Sequence, residues 1–230
     1  MSDINQRLEN INERIRKVAE ACNRNAETIR LVAVSKTFSA DIVREAIDAG
    51  VTILGENYLQ EAREKFNALA QYPVSWHFVG HLQTNKAQYA VRLFDLIHSV
   101  DSLKLARELD KQAKKIEKIQ QVLIQVNISQ EDTKSGVSAE NAPDLISEIS
   151  QLDNLSVKGL MTMPPFFYQP EKVRPFFSAL RALRDQIKDK AISNITMEEL
   201  SMGMTGDFEV GIEEGATLVR IGTAIFGERK

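Results

Sequence analysis

Short runs of branched aliphatic residues alternate along this chain with longer stretches in which apolar residues recur every three or four positions. Residues 30–35 (Arg-Leu-Val-Ala-Val-Ser) are nearly continuous in apolar character, the composition of a strand buried on both faces of a parallel sheet. Ser39 is placed to cap a helix running through Ala49, with Ile42, Val43, Ala46 and Ile47 turned inward and Gly50 at the stop. The same reading predicts further strands at 51–54, 76–79, 95–100, 121–127, 156–161, 198–201 and 216–221. Between them it predicts helices at 57–70, 85–91, 102–117, 139–150, 171–188 and 207–213. Ahead of the first strand, Ile4, Leu8, Ile11, Ile15 and Val18 mark an additional amphipathic helix.

Eight strand–helix units with short connections and no Pro/Gly linker predict an α/β fold: a single (β/α)8 TIM-type barrel with an extra N-terminal helix, residues 1–230 forming one domain. A doubly wound open sheet is the other architecture. It usually has fewer strands, and no Gly-x-Gly-x-x-Gly follows the first strand here. Residues 163–170 form the one Pro/aromatic loop, expected to border the barrel mouth.

Composition narrows the classes. The 230 residues are 43% hydrophobic, ample for one core, and the net charge of −3 gives no general case for nucleic acid. Lys111, Lys114, Lys115 and Lys118 are interleaved with acids and read as a solvated helix face. One cysteine, Cys22, excludes an internal disulfide or a Cys-based zinc site. No signal peptide and no membrane-spanning apolar run is visible, so the cytoplasm is the expected compartment. His77 and His81 are four apart, but His77 falls in a predicted strand and Gly80 intervenes, so no metal site is expected.

In a barrel, chemistry gathers at the carboxyl ends of the strands. Lys36 directly follows the first apolar run and is expected near the axis or rim. Burying a lysine is unfavourable unless it is paired, neutral or covalently used, and a desolvated amine attacks carbonyls. An ion pair across the mouth is the plainer reading. Ser201-Met202-Gly203-Met204-Thr205-Gly206 and Arg220-Ile221-Gly222-Thr223 end the last two strands, where barrels often bind phosphate. Phosphate beside a Schiff-base lysine suggests pyridoxal 5'-phosphate and also permits a barrel aldolase acting on a sugar phosphate. Arg220 helps separate them: beside a pyridine nitrogen it can only donate, leaving the nitrogen unprotonated and the cofactor a weak electron sink.

Several ordered segments carry a resemblance. Val32-Ala33-Val34-Ser35-Lys36, Gly55-Glu56-Asn57-Tyr58, the run Trp76 to Lys86, Thr133-Lys134-Ser135-Gly136, Leu200 to Met204 and Val219 to Gly227 closely resemble the pyridoxal-phosphate homeostasis protein family. The matches extend from about residue 30 to the end, and His81 departs from the family pattern. The resemblance implies a barrel like the N-terminal domain of alanine racemase, with Lys36 as the internal aldimine lysine and Arg220 near the pyridine nitrogen. It implies that Ser201, Gly222 and Thr223 hold the phosphate, that Asn57 lies beside the ring and that Met204 lines the pocket. His77 and Lys134 are expected at the rim, and Lys86 is a further candidate there. The implied role is non-catalytic: holding the cofactor and delivering it to pyridoxal-phosphate-requiring apoenzymes. A small racemase or lyase is the alternative, but no second domain and no second base opposite Lys36 can be placed. A monomer is expected.

Overall fold

The alternation of side chains along each strand decides the architecture. In the computed structural model, which describes residues 3–129, 131 and 135–228, β1 (Arg30–Val34) turns Val32 and Val34 to one face and Ala33 to the other. It is followed by β2 (Ile53–Glu56), β3 (Ser75–Phe78), β4 (Leu96–Val100), β5 (Gln120–Asn127), β6 (Val137–Ser138), β7 (Leu155–Met161), β8 (Ile195–Met204) and β9 (Leu218–Ile221). Every pairing is parallel. Neighbours run β4-β3-β2-β1-β9-β8-β7-β5, and a β4–β5 pairing closes the ring into an eight-stranded barrel. The TIM-type α/β fold expected from the sequence is the fold observed. The two-residue β6, which the sequence pattern did not reveal, pairs among the described residues with β5 alone and lies outside the ring.

The helices α1 (Asp3–Ala21), α2 (Ala40–Asp48), α3 (Leu59–Ala68), α4 (Ala87–Leu93), α5 (Leu103–Lys114), α6 (Ala142–Ile149), α7 (Arg174–Asp189), α8 (Phe208–Glu213) and α9 (Thr223–Phe226) cover the outside. Ser39 caps α2 as expected, its hydroxyl accepting from the Ile42 N–H. The additional helix α1 buries Ile4, Leu8, Ile11 and Ile15 against α2, α8 and α9, and Arg14 anchors it to Glu209 at 2.5 Å. No helix among the described residues is long and apolar enough to cross a membrane.

Two cores result. The larger lies between helices and barrel. The smaller fills the barrel with Val32, Ile53, Val79, Leu96, Leu123, Met161 and Leu218. Strand alternation carries this inward face on from Val32 and Val34 to Lys36, the first residue past β1 but one.

Candidate functional site

At the carboxyl ends of the strands a cavity of ≈ 280 Å³ opens on the barrel axis. Its floor is Val34, Val79 and Arg220; Lys36 and Asn57 stand on the β1 and β2 side. Met204, Thr205, Gly206 and Asp207 from the end of β8, with Gly222, Thr223 and Gly227 after β9, form the opposite wall. Phe38 and the loop residues Met163, Phe166 and Phe167 complete the rim. Phe166 is 76% exposed, while Phe167 is anchored by stacking on Phe176.

The structure thus brings together Lys36, Asn57, Met204, Arg220, Gly222 and Thr223, from four different strand ends. Lys134 lies outside the described residues. Two other expected residues are elsewhere. Ser201 does not line the cavity: β8 continues three residues beyond it, so Ser201 sits wholly buried inside the barrel, accepting a hydrogen bond from Arg220 Nη1 at 2.6 Å. His77 is likewise not at this rim. It is buried in β3 below Val79, bonded to His98 at 3.0 Å, and borders a separate cavity at the amino ends of the strands. His81 and Lys86 face a neighbouring groove that shares Asn57 as a wall.

Arg220 is the most constrained group. Besides Ser201 it donates from Nη2 to the Thr162 carbonyl at 2.9 Å, and Thr162 is itself tied to the Val126 carbonyl. Burial lowers its pKa to about 10, with the nearby Asp207 charge opposing. It therefore remains a cation and a pure donor at neutral pH. Asp207, which sequence reasoning passed over, accepts the Met204 N–H at 2.6 Å and so folds the loop at the end of β8. Burial raises its pKa, and the Met204 bond and the Arg220 charge oppose the rise.

Behind the β1–β2 side lies a second group that the sequence did not reveal. Glu56 and Lys65 are both buried and lie 2.6 Å apart. Lys65 Nζ also donates to the Ser35 carbonyl at 2.6 Å, and the Ser35 hydroxyl donates to Glu56 at 2.5 Å. Ser35 and Glu56 directly precede Lys36 and Asn57, so this clamp fixes the backbone of both. Its signal was a lysine within the buried stripe formed by Ala62 and Lys65 of α3 and Leu69 at its C-terminal cap. Gly80 secures Asn57 from the other side: a Cβ there would lie 2.3 Å from the Asn57 carbonyl oxygen.

A parallel barrel with a lysine, a buried arginine and glycine–hydroxyl loops converging on one carboxyl-end cavity defines the alanine-racemase type of barrel. Residues 6–230 match the family model described as alanine racemase, N-terminal domain. Within it the chain belongs to the pyridoxal phosphate homeostasis protein family. It is 46% identical over 225 residues to the pyridoxal phosphate homeostasis protein of Aquifex aeolicus, covering 98% of each chain. It is 44% identical over 230 residues to that of Pseudomonas aeruginosa, covering 100% of this chain and 97% of the relative. PipY of Synechococcus elongatus, solved with PLP bound, superposes with a TM-score of 0.85 at 33% identity over 98% of this chain and 100% of PipY.

Proposed function

We propose that this protein holds pyridoxal 5'-phosphate on Lys36 and serves vitamin B6 homeostasis as a carrier, without strong catalysis of its own. The observation that carries the reading is the convergence of Lys36, Arg220, Gly222 and Thr223 on one ≈ 280 Å³ cavity. The residues fit the group. Asn57 Oδ1 is buried without a hydrogen-bond partner on the cavity wall, an acceptor that a ligand donor would satisfy. At Gly222 a Cβ would lie 3.1 Å from the Val34 carbonyl oxygen, so the bare backbone lets the wall close in. Nothing lies within 4 Å of a Cβ built at Gly206, which leaves room beside Thr205.

When bound, the cofactor supplies an aldehyde that condenses with amines and a pyridine ring that can take up electron density. In this reading Lys36 offers the amine, and Thr205, Gly206, Gly222 and Thr223 cradle the phosphate. Ser201 acts from beneath, through Arg220, rather than on the phosphate. Arg220, which can only donate, would face the ring nitrogen and would favour its unprotonated form, a weaker electron sink. No tyrosine, histidine or cysteine among the described residues lines the cavity opposite Lys36, and its one carboxylate, Asp207, is engaged with the Met204 N–H. This supports a carrier over the racemase or lyase alternative. Residues 1–230 would act as one cofactor-binding unit, a cytoplasmic monomer whose receivers are pyridoxal-phosphate-requiring apoenzymes.

The test is reduction of the cofactor-treated protein with borohydride, followed by peptide mapping. The label is expected on Lys36, and Lys36→Ala is expected to lose both the label and the visible absorption band. A label on another lysine, or an unchanged band in Lys36→Ala, overturns the assignment.

A further inference from the structure

One line of linked polar side chains runs through the largely apolar interior of the barrel. Arg220, Ser201, His98 and His77 are each at most 4% exposed and form an unbroken chain of hydrogen bonds among Val79, Leu96 and Leu123. The links are Arg220 Nη1 to Ser201 Oγ at 2.6 Å, Ser201 Oγ to His98 Nδ1 at 2.9 Å and His98 Nε2 to His77 Nδ1 at 3.0 Å. Its upper end borders the Lys36 cavity and its lower end borders the cavity at the amino ends of the strands, with Arg30, Asp95 and Glu199. Polar groups in such a place are unfavourable unless each is satisfied.

Two facts set the direction of the protons in the chain: arginine cannot accept, and among the described residues His98 Nδ1 is the acceptor within reach of the Ser201 hydroxyl proton. Ser201 Oγ therefore accepts from Arg220, and its own proton goes to His98 Nδ1. That makes His98 the Nε2–H tautomer, which donates to His77 Nδ1. His77 is then also the Nε2–H tautomer, with that N–H turned toward the lower cavity. Both rings are neutral, which one-way ordering requires. Burial is the main cause, lowering His77 to about 4 and His98 well below its usual range. Reversing His98 would leave the Ser201 hydroxyl with two donors and no acceptor for its proton.

We propose that Ser201 and His98 are positioning residues for Arg220, a one-way hydrogen-bond chain that holds the guanidinium against the cavity floor as a donor. A carboxylate on this line would neutralise the arginine; a neutral serine and imidazole orient it and leave its charge facing the cavity. Two of its five N–H bonds are committed to Ser201 and Thr162, which fixes the plane of the remaining ones. This rests on the cofactor reading only for what Arg220 faces; the chain itself belongs to the protein alone.

Two measurements test it. In the protein without cofactor, long-range 1H–15N correlation spectra are expected to show His98 and His77 both protonated at Nε2 and bare at Nδ1. A proton on His98 Nδ1 overturns the proposal, whatever the protein binds. In the second, pyridoxal phosphate is titrated into His98→Leu and His98→Gln. The glutamine can accept with Oε1 and donate with Nε2, preserving the direction of the chain, whereas leucine interrupts it. Leucine is expected to weaken binding about tenfold and shift the visible band, with glutamine restoring both. Equal affinity and band position in leucine and wild type overturn it. If His98→Leu does not fold, Ser201→Ala interrupts the same chain with a smaller change of volume and is read in the same way.

Discussion

Replacing Lys65 by Met would leave a carboxylate stranded in the core. Lys65 Nζ is the cation facing Glu56 at 2.6 Å, and the pair's side chains are 6% and 0% exposed. Methionine keeps much of the apolar stem, so little packing is lost. What remains of Glu56's satisfaction is the Ser35 hydroxyl at 2.5 Å, while its Oε2 already lacks a partner. Removing one member of a buried pair costs about 3–5 kcal/mol, the figure expected from urea unfolding at pH 7. The pH dependence identifies the cause. Burial already holds the Glu56 pKa above its usual value against the opposing Lys65 charge and the Lys65 and Ser35 hydrogen bonds; without Lys65 it rises further. A carboxyl raised in the folded state contributes stability fully below its unfolded pKa and loses that contribution as pH rises through the folded one. The deficit of Lys65→Met should therefore shrink from pH 7 to pH 5, by up to about 1.4 kcal/mol per unit. Adding Glu56→Gln should recover most of the loss at pH 7. A deficit of equal size at both pH values, or no recovery with glutamine, would refute the buried-charge argument.

Three further outcomes are expected. Gly80→Ala should destabilise the protein by about 1–3 kcal/mol and weaken cofactor binding together, because its Cβ meets the Asn57 backbone at 2.3 Å; a variant with wild-type melting and binding would contradict this. Phe166→Ala, at a side chain 76% exposed, should leave stability within about 0.5 kcal/mol while speeding cofactor release several-fold, as stopped-flow displacement would show; unaltered release would mean the ring does not guard the cavity. His77 has a folded pKa lowered to about 4, so its contribution is present above pH ~6.5 and is lost as pH falls toward that value. His77→Gln should lack that acid loss, about 3 kcal/mol over the window; parallel pH–stability curves for the two proteins would exclude it.

Much of the fold was legible because strand composition and helical spacing are local signals. The run 30–35, the Ser39 cap and the order of eight strand–helix units each depend on neighbouring residues, and each has its counterpart in β1, α2 and the closed ring. The site was legible only as far as strand ends could be placed. The glycines beside Ser201 mark it as a rim residue, but β8 runs on to Met204, and three residues of strand separate rim from interior. His77 falls within the predicted strand 76–79, but a strand alone does not say how deep in the barrel it lies: its side chain shares the inward face two residues before Val79, below the rim. His98 carries no local mark of its role, and Lys65 only its place in a buried helical stripe. Their partners are 103 and 9 residues away, at Ser201 and Glu56, and no periodicity encodes those pairings.

The β1–β9 pairing joins the first strand of the barrel to the last, Val32 opposite Arg220 and Ala33 opposite Ile221. Lys36 follows one edge of this seam, and Arg220, Gly222 and Thr223 lie in or just past the other. A ligand spanning the cavity therefore fastens together contacts almost two hundred residues apart in sequence, whose closure carries a large loop entropy. Occupancy becomes a clasp on the whole ring. At a free-ligand concentration a hundred times Kd the native state gains about 2.7 kcal/mol by mass action. The extent to which a preparation is loaded is then readable from its melting temperature, without any spectrum of the ligand.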